Sequence, residues 1–375
     1  MTHRRPSFRV PPALTAAVLL VAASPATAAP PQRSLEILSP VYSVDGIYRS
    51  MTGPQETRPV SVLPGHAPEL LWITGYRAEM VAADGVTPLS QEFMCHSNLD
   101  VDMAAHRQRM GWLKNPSQRL FTLSQGQQEI RFPEGFGIPL WSDELLSLTT
   151  QVLNLNPQPA VVQVRHRVTL EFVFDRDLER KPRPLFLVGA NGFVALDGAA
   201  EGRWYGVEHP EPATHGSGCM VGANAGTHTY EDPLGHLFTG HWLVPPGRQV
   251  NRTLVSAFMD LPFDTTVHYI AVHLHPFAES LELRDLTTGE VVFASHVENA
   301  RDRVGLARVE HFESPAGIAL FKAHQYELVS VYDNPTGEDQ DSMAVMFLYL
   351  LDREMEVATE RPEAAISTVA CSAAR

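Results

Sequence analysis

Two histidines separated by a single residue are the clearest candidates for chemistry in this sequence. His273 and His275 lie in the run VHYIAVHLHPF, Val267–Phe277. If this run is a β-strand, side-chain alternation puts both imidazoles on one face, with Cα atoms roughly 6.5–7 Å apart. That spacing allows two imidazoles to bind one metal ion.

A methionine about seventy residues later is the third candidate ligand. Met343 is the second residue of the run SMAVMFLY, Ser342–Tyr349, which we interpret as a partner strand. Imidazole binds copper, zinc and iron alike, whereas a thioether is a soft ligand that favours Cu(I). The three residues therefore predict a copper site. Since the chain contains 16 histidines, two ordinary imidazoles on a strand remain the alternative interpretation.

Length and composition indicate a folded protein built mainly from strands. The 375 residues suit two domains of about 150 residues each. The hydrophobic fraction of 44% and charged fraction of 19% are ordinary for globular proteins. The 29 Pro and 25 Gly divide the chain into short segments, which favours an all-β fold over long helices. From Gln249 onwards, several short strand-like runs predict an antiparallel sandwich.

The N-terminus has the features of a secretory signal peptide over residues 1–29. Arg4, Arg5 and Arg9 form a positive region, Ala13–Ala23 is an apolar run too short to span a bilayer, and Ala26–Ala28 fits a cleavage signal. We therefore expect an exported protein, periplasmic or extracellular. No later stretch is apolar for long enough to span a membrane, so we expect no membrane span.

The net charge argues against nucleic acid as a partner. Removal of residues 1–29 would take away three Arg and no acidic residue, so the net charge of −14 would become −17. A surface this acidic repels the phosphate backbone. The three cysteines of an exported chain suggest one disulfide, with Cys95–Cys219 as the first pairing and Cys219–Cys371 as the second.

Composition shifts along the chain predict its domain organisation. The expected segments are a Pro-rich lead-in over 30–65, an N-terminal β-sandwich over 66–180, a linker and His/Gly-rich segment over 181–246, a C-terminal β-sandwich with the copper site over 247–355, and a tail over 356–375. The clearest strand of the first half, Val161–Phe174, alternates so that His166 points into a core, either hydrogen-bonded there or as a ligand. His236 and His241 could face a cleft, or be solvated or structural.

The second half of the chain resembles a known family of copper enzymes. Val244–Gly247, His268, the His273/His275 pair and Asp341–Met343, followed by an aromatic-rich strand, are similar to the C-terminal half of the copper type II, ascorbate-dependent monooxygenases. That family includes the peptide-amidating hydroxylase and dopamine β-monooxygenase. The resemblance implies two tandem antiparallel, jelly-roll-like β-sandwiches that face each other across a cleft, with the catalytic copper on the H-x-H pair and the methionine.

The first half resembles the family more faintly, in Pro133–Gly137 and in the dipeptide Gln151-Val152. The family's electron-supplying copper uses two adjacent histidines and a third after such a strand. Here the adjacent pair reads Cys95-His96, and Leu153 and Asn154 follow the strand. His96 is thus the one direct counterpart, and either His166 substitutes for a missing ligand or the second copper site is lost.

The residues expected to contact substrate differ from those of the peptide-amidating members. Where those members grip a peptide carboxylate with Arg, Asn and Tyr, this chain has Ala271, Val345 and Phe347. An apolar pocket does not compensate a buried carboxylate, which costs several kcal/mol, so we do not expect peptide amidation.

The resemblance therefore implies an exported copper-dependent monooxygenase-like protein that activates O₂ with a small-molecule substrate and a reductant such as ascorbate. Two alternatives remain: an exported copper-binding protein without catalysis on the same scaffold, and a pair of sandwiches without metal.

Overall fold

The computed structural model describes residues 31–110, 117–196, 205–207, 229–232 and 234–360. This part of the chain is mostly strand, at 57%, with 8% helix, and its strands form several sheets, which confirms the all-β prediction. The predicted signal peptide, residues 1–29, lies outside the described residues. No helix in the described ranges is both long and apolar enough to cross a membrane.

The strands of the first half are divided between two facing sheets. They are β1 (Arg33–Leu38), β2 (Tyr42–Val44), β3 (Gln55–Val60), β4 (Leu70–Ala82), β5 (Met94–Val101), β6 (Arg119–Leu123), β7 (Glu129–Arg131), β8 (Phe136–Trp141), β9 (Leu146–Val152) and β10 (Val162–Phe174). Helix α1 (Met103–Met110) follows β5, and single 3₁₀ turns cover Gln91–Phe93 and Asp175–Asp177.

The strands of the second half are shorter at first and then longer and regular. They are β11 (Arg183–Asn191), β12 (Val194–Ala195), β13 (Tyr205–Val207), β14 (Thr229–Glu231), β15 (Leu237–Thr239), β16 (Trp242–Val244), β17 (Gly247–Leu254), β18 (Thr265–Leu274), β19 (Ala278–Asp285), β20 (Glu290–Asn299), β21 (Leu306–Val309), β22 (Phe312–Leu320), β23 (Tyr326–Asn334), β24 (Gln340–Ser342) and β25 (Ala344–Leu351). Helices α2 (Ser256–Met259) and α3 (Arg353–Glu360) complete the described part.

The first sandwich packs strands β1-β10-β4-β8 against the four-stranded sheet β3-β9-β5-β6. Strand β10 shows why these residues form it. Val164, Val168 and Leu170 are buried on one face, while Arg165 and Arg167 on the other are only partly buried. Because side chains alternate along the strand, this pattern fixes which face meets the core. His166 lies on the buried face, as predicted.

The second sandwich packs strands β11-β25-β18-β22 against the sheet β13-β17-β23-β19-β20-β21. Strand β18 pairs antiparallel with both β25 and β22, so it is a central strand. All ten residues of β18 except Thr266 are buried. A strand buried on both faces is expected to be nearly all apolar. Strand β18 departs from this at Thr265, His268 and His273, which are buried as well.

The two sandwiches share one continuous sheet. Strands β8 and β11 pair in parallel through two residue pairs, Arg183↔Phe136 and Pro184↔Gly137. Beyond this junction, one face of β11-β25-β18 carries Leu187, Tyr269 and Tyr349 into the first core. The opposite face carries Val188, Ile270 and Leu348 into the second core. The C-terminal sheet therefore serves both halves of the molecule.

Two of the predicted segments are corrected by the structure. Residues 30–65, predicted as a Pro-rich lead-in, contain β1, β2 and β3, which belong to the first sandwich. Pro59 lies in β3, which is the edge strand of its sheet, where a missing N–H is tolerated. The predicted linker, residues 181–246, begins with β11, a strand of the shared sheet, because a Pro near a strand end does not prevent pairing.

Candidate metal centre

The C-terminal end of β18 brings the two predicted histidines together. The ring centroids of His273 and His275 are 5.4 Å apart, with the ring planes at 87°. Both side chains are buried at the end of the strand. Strand alternation explains their proximity, since residues two apart lie on the same face.

Met343 lies just before β25, the strand paired with β18. The register runs through His273↔Val345 and Leu274↔Ala344, and one further step would set Met343 opposite His275. The hydroxyl of Tyr332 joins these two positions, because it accepts from the His275 backbone N–H at 3.3 Å and donates to the Met343 carbonyl. The structure therefore places all three predicted ligands at one end of the β18–β25 pair.

Short polar groups orient both imidazoles. Nδ1 of His273 lies 3.0 Å from Oγ of Ser124, and Nδ1 of His275 lies 3.0 Å from the carbonyl oxygen of Asp341. A backbone carbonyl accepts only from a protonated nitrogen, so Nδ1 of His275 carries its proton and Nε2 carries the lone pair. Nε2 is 3.4 Å from Oγ of Ser50, longer than a good hydrogen bond. Metal-binding histidines are commonly oriented in this way through their second nitrogen.

A carboxylate and a third imidazole lie beside His275. Oδ2 of Asp341 is 3.6 Å from Nδ1 of His241 and 3.7 Å from Nδ1 of His275. Within the described ranges, no group forms a hydrogen bond with this Oδ2. Burial lowers the pKa of His275, and the charge of Asp341 opposes this only in part, so the ring is neutral and can act as a ligand.

His241 was a candidate from the sequence alone, whereas the position of the Asp341 carboxylate beside His275 was not predicted. The antiparallel pairing of β16 with β24 brings His241 and Asp341 close together. Leu243 pairs with Asp341 and Trp242 with Ser342, and His241 directly precedes Trp242. His241 is fully buried, and its ring centroid is 6.0 Å from that of His275. The position of Asp341 two residues before Met343 was the one available clue.

A cavity of about 420 Å³ opens between the two sandwiches beside this cluster. Its walls include residues of β5 and β6 on one side and of β11, β18 and β25 on the other, among them His96, Asn98, Thr122, Gly189, His273, Met343, Val345 and Phe347. A second cavity of about 40 Å³, lined by Cys95, Ser124, His273, His275 and Asp341 among others, adjoins it. His273 and Met343 thus face space that a small molecule can enter, whereas His275 faces only the smaller cavity.

The two candidate histidines of the first half, His96 and His166, lie in different surroundings. His96, on β5, lines the larger cavity with His273 and Met343. His166, on β10, is fully buried in the first core, with its ring 6.2 Å from that of Tyr42 in an edge-to-face contact. Burial lowers the pKa of His166 to about 4. His166 is not part of the cavity wall that holds His96, so the structure does not support its substitution for a missing ligand.

Cys95 is a free thiol in the structure, so the first predicted disulfide, Cys95–Cys219, is not formed. Burial raises the pKa of this thiol to about 11, which keeps it protonated at neutral pH. Cys219 and Cys371 lie outside the described residues, and their pairing stays a prediction. The reason for the miss is that a cysteine count carries no information on distance.

The donor set determines which metal ion these residues suit. Among the residues that the structure describes, no three His, Cys, Asp or Glu side chains are arranged to hold a metal ion. A site here therefore needs the sulfur of Met343 as third donor beside two imidazoles. Two neutral nitrogens and a thioether fit Cu(I) better than a hard cation such as Mg²⁺ or Ca²⁺.

Comparisons with known proteins add no functional information. No protein-family model matches the chain, and no curated protein matches it. Among solved structures, similarity is found to the "Crystal Structure of the STIV MCP", at 8% identity over 86% of this chain and 100% of that one, with a TM-score of 0.31. A structure described as "Life in the extremes: atomic structure of Sulfolobus Turreted Icosahedral Virus" covers 86% of this chain and 94% of its own, at 8% identity and a TM-score of 0.29. At these scores the similarity carries no argument.

Proposed function

We propose that this protein binds one copper ion through His273, His275 and Met343 and oxygenates a small molecule beside it. The observation that carries the proposal is the position of the two imidazoles, whose ring centroids are 5.4 Å apart. His273 and Met343 line a cavity of about 420 Å³, and His275 lines an adjoining cavity of about 40 Å³ with His273. Two nitrogens fixed by one strand and a sulfur from its neighbour form a soft donor set next to space for a ligand.

The protein's own groups hold this donor set in place. Ser124 and the Asp341 carbonyl fix the two imidazole rings, so that Nε2 of each ring is the nitrogen for coordination. The Tyr332 hydroxyl ties the backbone before Met343 to that of His275. Rigid placement of this kind lowers the reorganisation needed on binding. Copper bound there would supply one-electron chemistry and a site for O₂.

Burial of the cluster supports chemistry rather than simple surface binding. His241, His273 and His275 are all less than one-tenth exposed. Electrostatic interactions with a bound substrate are stronger in such a site because water is largely excluded. The larger cavity gives a substrate access to this buried edge without exposing the ligands to bulk solvent.

A copper-binding protein without oxygenation is the second candidate function. It is favoured by the first-half candidates, because His96 lines the larger cavity and His166 does not, and a second copper in the first sandwich would need several imidazoles together. Within the described ranges, no three metal-binding side chains of the usual His, Cys, Asp and Glu types converge there. A single copper can be stored or carried, whereas turnover needs electrons from an external reductant.

Copper stoichiometry and oxygen consumption test both candidates. We expect the purified protein, with residues 1–29 removed, to bind one copper, and to consume O₂ with ascorbate faster in the presence of a substrate. Incorporation of one ¹⁸O atom from ¹⁸O₂ into product would identify oxygenation. Free copper also consumes O₂ with ascorbate, so His273→Ala at the same total copper is the control. Binding of one copper without labelled product would favour the carrier, and no binding would refute both.

A further inference from the structure

An unsatisfied amide lies in the cavity wall opposite the candidate copper ligands. Asn98, on β5, is 8% exposed, and no described residue forms a hydrogen bond with its Oδ1. The residue lines the larger cavity together with His273 and Met343. Buried side-chain acceptors nearly always have a partner. One that faces a cavity can gain that partner from a bound molecule.

The groups around Asn98 carry no excess charge. Thr122 pairs with Asn98 across β5 and β6, so the two side chains share a face. Nη1 of Arg119 donates to Oγ1 of Thr122 at 2.7 Å, and Nε of Arg119 donates to Asp100. Because Asp100 balances the guanidinium, this end of the cavity is polar without a net charge.

Part of the opposite wall is apolar. Val345 and Phe347 point into the cavity from β25. Phe347 pairs with Gly189 of β11, where a Cβ would lie 3.2 Å from Nδ2 of Asn191. The volume of about 420 Å³ falls within the range of roughly 300–1,000 Å³ of small-molecule sites. A ligand here has one polar end and an apolar body.

We infer that the cavity binds a neutral small molecule with an apolar body and one hydrogen-donating head group, such as a primary amide. The head group donates to Asn98, while the body packs on Val345 and Phe347. A molecule so placed lies against the wall that carries His273 and Met343. Its role as the substrate rests on the proposed function, but its binding does not.

Charge decides between this ligand class and its alternatives. A carboxylate has no hydrogen to donate to Oδ1 of Asn98. An ammonium group would lose its hydration without gaining a counter-charge, since Asp100 is already held by Arg119. A neutral donor satisfies the amide at the lowest desolvation cost.

Three probes of nearly equal shape test the inference: benzamide, benzoate and benzylammonium. Each is titrated by calorimetry into the purified protein, first metal-free and then with one equivalent of copper. We expect benzamide to bind at least about tenfold more tightly than either charged probe. In Asn98→Leu, we expect benzamide to bind about tenfold more weakly. In Asn98→Asp, the preference should change to benzylammonium.

Gln163→Leu, which removes an exposed amide on β10, is the matched control and should leave all three affinities unchanged. Thermal unfolding of each variant shows whether it is folded, and Asn98→Asp keeps the test decisive if Asn98→Leu does not fold. Equal binding of the three probes, tightest binding of benzoate, or unchanged benzamide affinity in both Asn98 variants would overturn the inference. Asn98-dependent benzamide binding by a protein that takes up no copper would refute the proposed function alone, and copper binding without benzamide binding would refute this inference alone.

Discussion

The two halves of the molecule are both β-sandwiches, yet they place their histidines very differently. In the second half, His273 and His275 lie on one strand, with ring centroids 5.4 Å apart. In the first half, His96 and His166 lie on strands of two facing sheets, one in the cavity wall and one in the core. Ligands from one strand are brought together by local geometry, whereas ligands from two sheets need a matching tertiary arrangement.

The difference also appears in what surrounds each imidazole. Ser124 and the Asp341 carbonyl contact the rings of the second half. Neither ring nitrogen of His166 has a hydrogen-bond partner within the described residues. A fully buried histidine of this kind stays neutral. His273 and His275 therefore have the oriented polar contacts that a metal site needs, and His166 does not.

The largest expected effect comes from removing the imidazoles of the second half. We expect the double variant His273→Ala/His275→Ala to lose at least about a thousandfold in Cu(I) affinity, because each ligand should contribute no less than the tenfold to hundredfold of an outer-shell partner. Competition with a Cu(I) chelator measures this. The matched variant His96→Ala should retain copper. Loss of copper in His96→Ala as well would break the contrast between the halves.

Acid stability is the next test, and it concerns His166. Its folded-state pKa of about 4 is below the unfolded value of about 6.5. Protonation therefore favours the unfolded chain, and the contribution of this residue is complete above about pH 6.5 and is lost as the pH falls towards 4. The loss is at most ~3 kcal/mol.

His166→Leu has no imidazole to protonate, so this loss is absent in the variant. The free energy of unfolding of the variant minus that of wild type should therefore increase as the pH falls from about 7.5 to about 4. Urea unfolding at several pH values measures the difference. The exposed His296→Leu serves as the control. A pH-independent difference for His166→Leu would show that His166 is solvated or paired. The surroundings of the imidazoles would then be similar in the two halves.

Removal of a hydrogen bond at the junction between the halves should have a smaller effect on the free energy of unfolding. Gln127 receives a hydrogen bond from the N–H of Val272 at 2.9 Å and donates one to the Tyr269 hydroxyl at 3.1 Å. In Gln127→Leu the buried N–H of Val272 loses its partner, so we expect a loss of about 1–3 kcal/mol in the free energy of unfolding. The exposed Gln163→Leu should change it by less than about 0.5 kcal/mol. Two separate unfolding transitions would indicate that the halves are coupled only weakly.

The smallest expected effect tests the sulfur ligand. Met343→Leu keeps the side-chain volume and removes the thioether, so Cu(I) affinity should fall about tenfold while stability changes by less than about 1.5 kcal/mol. Met346→Leu, three residues later in β25 and buried in the second core, is the matched control and should bind copper normally. Equal Cu(I) affinity in Met343→Leu and Met346→Leu would show that Met343 is not a ligand and that only the imidazoles bind copper.

Sequence reasoning predicted the fold class and the closest pair of candidate residues well. Periodicity of two, frequent Pro and Gly, and short apolar runs indicated sandwiches, and alternation placed His273 beside His275 and His166 in a core. The first strands were missed because Pro-rich composition concealed them, although an edge strand such as β3 tolerates Pro. The shared sheet was missed because the β8–β11 pairing of only two residue pairs leaves no pattern in either strand.

The residues around the site come from distant parts of the chain, so local patterns did not predict them. Ser124 is 149 residues from its partner His273, and Ser50 is 225 residues from His275. No local pattern marks either serine, and the same holds for Asn98 in the opposite wall. Their positions depend on which strands pair and how the sheets pack, which is set by burial summed over the whole chain.

The sequence by itself determined that this chain forms β-sandwiches and that His273 and His275 share one face, because strand alternation is a property of the backbone. Only the tertiary structure decided that Asp341, Ser124 and Met343 meet them, that His166 stays in a separate core, and that a cavity opens beside the cluster. The physical reason is that contacts between distant strands depend on register and sheet packing, which no short stretch of sequence encodes.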